Sequence, residues 1–214
     1  MALSKVDFNN INVTPSASKK LKWNSSANGF ETGDVGGSMV LLSTQTASSS
    51  STISFTSGID STYDEYIFKF YNIHPGTDGA RFTFQGDTGT NTNYNQTITS
   101  SFFYAQQGES DDPLLAYGSG QDQAQATGFQ DLSLGIDSDG NDSNCSGYLH
   151  IFNPSSSTFV KHFIGLTQIV GNGYYAYANH SAGYFNTTTA LTRFQFKMHS
   201  GNIDSGTIKM YGVS

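Results

Sequence analysis

Glu65-Tyr66-Ile67-Phe68-Lys69-Phe70-Tyr71-Asn72 is the stretch that decides the fold. Side chains alternate across a β-strand, so Tyr66, Phe68 and Phe70 share one face while Ile67, Lys69 and Tyr71 share the other. A helix would scatter the same rings around its circumference. The pattern predicts a strand that buries three aromatic rings against a second layer. Residues 81–85 repeat it with Phe82 and Phe84, and residues 192–199 with Phe194, Phe196 and Met198.

Outward from these segments, the same reading predicts strands over residues 52–57, 96–105, 129–135, 146–153, 158–168, 174–185 and 206–213. The apolar run that opens residues 39–44 suits a buried strand, and Ser48 to Ser51 read as a turn. Asn153-Pro154-Ser155-Ser156-Ser157 is another turn, because proline has no N–H to give a central strand. Residues 106–128, rich in Gln and Gly, are the longest insertion without a predicted strand. No stretch carries a convincing 3.6-residue apolar period. Roughly ten strands without helices predict an all-β chain, an antiparallel jelly-roll-like β-sandwich preceded by an extended N-terminal arm. The expected boundaries are residues 1–37 for the arm, with a small hairpin and Gly36-Gly37 as its hinge, and 38–214 for the sandwich.

Charge supports a surface or assembly role. Of the 214 residues only 13% are charged, against roughly 25% in an average soluble domain, while 14% are aromatic. No Lys or Arg occurs between Arg81 and Lys161, although Asp and Glu recur there. The net charge of −7 argues against nucleic acid as a partner. It is unevenly spread. Lys5, Lys19, Lys20 and Lys22 against Asp7 make the first 23 residues +3 and leave −10 for the rest. An arm opposite in sign to the body suits docking on an acidic partner surface, with Phe8, Leu21 and Trp23 as anchors and Lys19, Lys20 and Lys22 meeting the charge. The start shows no charged-then-apolar leader pattern, and no apolar run reaches the roughly 20 residues of a membrane span, so no membrane insertion is expected.

Catalytic and metal chemistry finds little footing. Cys145 is the sole cysteine, which excludes an internal disulfide, and its neighbours in an acidic loop suit an inert thiol. No histidine pairs with another at metal-ligand spacing, no Gly-x-Ser-x-Gly elbow exists, and no cofactor motif is present. Asp137, Asp139 and Asn141 open like a calcium loop, but Asp142 stands where glycine is needed and Tyr148 where the closing glutamate belongs. That leaves a weak calcium candidate and no expected metal. The more useful run is residues 171–180, where Tyr174, Tyr175 and Tyr177 are joined by Asn179 and His180. Flat rings with hydrogen-bonding neighbours suit a sugar or a protein partner; strand packing or a contact between copies explains them equally.

Several stretches carry a family resemblance. Residues 41–50 (LLSTQTASSS), 53–63 (ISFTSGIDSTY), 149–156 (LHIFNPSS) with 159–163 (FVKHF), and the ending 200–213 (SGNIDSGTIKMYGV) resemble small virion structural proteins of tailed bacteriophages, many of them marine. The resemblance covers most of residues 39–214. Residues 17–31 (ASKKLKWNSSANGFE) are similar to segments of phage fibres that attach or trimerise a chain ahead of a distal sandwich. It implies a non-enzymatic virion appendage, fibre- or spike-like. It would be surface-exposed on the particle, docked to capsid or tail proteins by its arm, a homotrimer, and available to a host surface glycan. A capsid decoration protein is the alternative, with a carbohydrate-active enzyme behind it. No catalytic residue is implied.

Overall fold

A computed structural model describes residues 19–26, 28–34, 39–90, 92–138 and 142–213. Among these there are fifteen strands and no helix. In chain order they are β1 (Lys19–Trp23), β2 (Phe30–Asp34), β3 (Met39–Ser50), β4 (Ile53–Phe55), β5 (Glu65–Pro75), β6 (Phe82–Asp87) and β7 (Ile98–Gly108). Then follow β8 (Leu114–Tyr117), β9 (Ala124–Ala126), β10 (Gln130–Asp131), β11 (Cys145–Phe152), β12 (Lys161–Gly171), β13 (Tyr175–Phe185), β14 (Arg193–Met198) and β15 (Ile203–Val213).

The chain divides between residues 38 and 39 into two units. In the first, β1 and β2 pair as an antiparallel hairpin with Trp23 opposite Phe30. The two rings stack with centroids 4.4 Å apart, and the Asn24 N–H donates to the Gly29 carbonyl at 2.9 Å to close the turn.

The second unit is a sandwich of a four-stranded and a nine-stranded sheet. The small sheet runs β10-β6-β14-β4. The large one runs β3-β15-β5-β11-β12-β13-β7-β8, with β9 also on β7. Eight of these strands, β3-β15-β5-β11 facing β4-β14-β6-β10, have the order of a jelly roll, in which successive strands change sheets except where β6 pairs with β10. Two insertions enlarge it. The hairpin of β12 and β13 continues the large sheet beyond β11, and β7, from the segment between β6 and β10, pairs with β13. The first and last strands of the body are neighbours, with Met39 opposite Val213.

Phenylalanine fills the space between the sheets, as the alternation predicts. Tyr66, Phe68 and Phe70 of β5 are fully buried, as are Phe82 and Phe84 of β6 and Phe194 and Phe196 of β14. Phe196 sits at the centre, with Phe68, Phe70, Phe82 and Phe55 at centroid distances of 5.1, 5.5, 5.8 and 6.1 Å. The added hairpin joins the same core through Phe163 and Phe185, which meet Phe84 at 5.1 and 6.0 Å. Each buried ring contributes on the order of 1.5–3 kcal/mol relative to exposure.

Three expectations need correction. The apolar opening of residues 39–44 lies on an edge strand, with Met39, Val40 and Leu41 40–51% exposed, because β3 has only β15 as a neighbour. Ser48 to Ser50 extend β3 instead of turning; the pairing of Ser48 with Ser205 and of Ser50 with Ile203 holds them in line. Residues 106–128 contain β8 and β9, while the strand expected over 129–135 shrinks to the two residues of β10.

Candidate functional site

Alternation that sends one set of residues inward must send the other set out. On the large sheet's outer face, register places Leu41, Tyr211, Ile67, His150, Ile164 and Ala182 side by side across six strands. The next row runs Lys69, Tyr148, Leu166, His180, Phe103 and Tyr117. Ile164 is 51% exposed and Phe103 45%, and Leu115 and Tyr117 at the β8 edge are more so. His180 lies flat on Phe103, with centroids 4.7 Å apart and planes 3° from parallel. His150 packs edge-on to Tyr148 and pairs through Nδ1 with the Glu65 carboxylate.

Acidic residues are scarce on this face, where Glu65 is matched by His150. Across the nine strands of the large sheet only Glu65 and Asp204 carry carboxylates, both near strand ends. The rest of the body's negative charge sits in loops and on the small sheet. The result is a broad surface of apolar and aromatic side chains, with Lys69 and Lys209 over tyrosine rings, on an otherwise acidic body.

The Tyr-rich run is divided by the strand it forms. Tyr174 precedes β13 at a φ of 60° and is 67% exposed. With Tyr175 it lines an end-of-sheet cavity of about 330 Å³ beside Gln107, Glu109 and Val170. The Tyr175 hydroxyl donates to the Asp112 carboxylate at 2.9 Å, which holds the phenol proton and raises its pKa. Tyr177 packs against Tyr104 at 5.8 Å, and burial raises its pKa. Asn179 is spent on the fold: it is fully buried, accepts from the Leu134 N–H at 3.3 Å and donates to Thr167. His180 faces the opposite side, on Phe103. Tyr174 and Tyr175 therefore line the cavity together, with the Tyr177 ring against Tyr175 at a centroid distance of 5.8 Å.

Of the expected arm residues, Lys20, Leu21, Lys22 and Trp23 lie on β1, and Lys19 begins it; Phe8 lies outside the described residues. Trp23 is 60% exposed despite its stacking, while Lys22 is paired with Glu31 at 3.2 Å. Asp137 is buried, and its calcium partners Asp139 and Asn141 lie outside the described residues. No group of three or more potential His, Cys, Asp or Glu ligands occurs among the described residues. Cys145 is fully buried, and burial pushes its thiol up to about 12, too high for a nucleophile near neutral pH.

A second cavity, of about 380 Å³, opens on the outer face of the small sheet at Arg81, Asp131, Lys197 and His199. These residues are scattered through the sequence, and no spacing rule joins them. No family model, curated protein or solved structure matches this chain.

Proposed function

We propose that this chain is a non-enzymatic structural protein of a phage particle. In this reading it is an appendage whose body assembles with copies of itself, as a homotrimer, through the outer face of the large sheet. The observation that carries the assembly half is the scarcity of acidic residues on that face. Acidic loops repel one another, so copies approach most cheaply through the apolar surface. Two rows of side chains, each across six strands at about 4.8 Å spacing, make a patch of roughly 30 by 14 Å, on the order of 400 Å². That is about half of the roughly 800 Å² that each partner buries in a standard interface. The virion half rests on the family resemblance, and the arm, with Trp23 and its lysines, is the proposed attachment to other virion proteins. The exposed Tyr174 and its cavity are the proposed contact for a host glycan.

Analytical ultracentrifugation of the full chain tests the assembly. A mass near three times that of the chain is expected, and Ile164→Glu, which buries a charge between copies yet stays solvated in an isolated one, should return the monomer with little change in melting temperature. A wild-type chain that stays monomeric at tens of micromolar would refute the proposal.

A further inference from the structure

Arg81, Lys197 and Asp131 come from three neighbouring strands or their ends. Asp131 of β10, Thr83 of β6 and Lys197 of β14 form one cross-strand row on the small sheet's outer face. Arg81 and His199 form the next row, locked by two hydrogen bonds: the His199 N–H donates to the Arg81 carbonyl at 2.9 Å, and the Arg81 N–H donates to His199 Nδ1 at 2.8 Å. Because Nδ1 accepts, the neutral ring carries its proton on Nε2, where it is a donor. Burial and the Arg81 charge both lower the His199 pKa, which favours that neutral form. The segment around Gly120, Gly128 and Phe129 walls the opposite side of the cavity.

The charges in this cleft are not matched among themselves. The Arg81 Nε lies 3.2 Å from the Asp131 Oδ2 but is not aligned to donate to it, and it is buried without a hydrogen-bond acceptor. The Lys197 ammonium lies over the Phe129 ring, 4.3 Å from its centroid. Two of the six basic residues of a body with fourteen acidic ones thus share one cleft with a single carboxylate.

We propose that the cleft between β6, β10, β14 and the segment of residues 120–129 binds an oxyanion group, a carboxylate or a phosphate ester, presented by a larger ligand. The guanidinium of Arg81, the ammonium of Lys197 and the Nε2–H of His199 supply donors from a rigid sheet, which costs little ordering on binding. Asp131 tunes the site. Burial pushes its carboxyl up to about 7 against the pull of Arg81, so near neutrality it passes between a repelling anion and a neutral group able to donate. With His199 favoured in its neutral form, Asp131 is the cleft group that changes charge near neutrality, and affinity for a carboxylate ligand, whose own charge is constant there, rises as pH falls from about 8 to about 6.

Isothermal titration of the full chain with sodium phosphate and, separately, sodium glucuronate, each at matched ionic strength, tests this. Saturable binding of at least one probe is expected, weakened about tenfold or more by Lys197→Met, which removes one charge-assisted contact from a partly exposed position. Binding of glucuronate alone assigns a uronate ligand, and binding of phosphate alone a phosphate ester. Asp131→Asn should bind glucuronate more tightly at pH 8 and lose the pH dependence of that binding. Absence of saturable binding by both probes, or binding unaffected by Lys197→Met, would overturn the proposal.

Discussion

Asp131 sits on a strand of two residues, beside a guanidinium, with its carboxyl at about 7 because burial outweighs the attraction of Arg81. Its ordinary value is 3.8, so between these limits the folded chain keeps a proton that the unfolded chain has released. The stability it contributes is complete below about pH 4 and is lost as pH rises towards 7, by on the order of a few kcal/mol. Asp131→Asn, which cannot ionise, should flatten the decline in melting temperature between pH 4 and pH 7 measured by scanning fluorimetry. Equal slopes in the two proteins would show that the carboxyl titrates normally. Nothing local in the sequence marks this residue. Its environment comes from Arg81, fifty positions earlier, and Lys197, sixty-six later, brought together by strand pairing. The Tyr-rich run misleads for the converse reason. Composition gathers five recognition-type side chains, but a period of two sends Asn179 into the core and His180 to the outer face.

At the scale of elements, β14 is fully legible because apolar and polar residues alternate along it without interruption, and β5 is legible because Tyr66, Phe68 and Phe70 share one face, although Ile67 and Tyr71 make its other face partly apolar. Phe196 of β14 shows what that alternation builds, since rings from β4, β5 and β6 all converge on it. Phe196→Ala should cost about 3–5 kcal/mol in chemical denaturation, because neighbours held by two sheets cannot collapse into the void. A loss below about 1 kcal/mol would mean that the core is far looser than its packing. Edge elements are much less legible. β3 reads as buried because its opening is apolar, yet burial depends on how many neighbours a strand has, which composition does not encode. β8 and β9 are short and borrow their order from β7, so their own residues carry little strand signal.

Over the whole molecule, the jelly-roll order follows from short strands that cross repeatedly between two layers; the sequence signals roughly ten strands where the body has thirteen, β8 and β9 being missed. The two insertions are invisible to it, since β12 and β13 alternate as any core strand does. They widen one sheet only, and so create its broad outer face. Gln85 of the small sheet fastens the insertion that carries β7, β8 and β9 at both ends by donating to the Gln96 carbonyl at 3.0 Å and the Gly128 carbonyl at 2.8 Å. The body has its own core from residue 39 onward, so removing residues 1–38 should leave a cooperatively folding protein with a melting temperature within a few degrees of the full chain. Under the proposed virion role, the same truncation should abolish incorporation into particles, read by immunoblot of purified virions; undiminished incorporation would exclude the arm as the attachment. The pairing of Met39 with Val213 has a separate topological meaning. The body closes nearly into a ring, and a short linker across that gap would permit circular permutation, with new ends placed at a loop on the far pole.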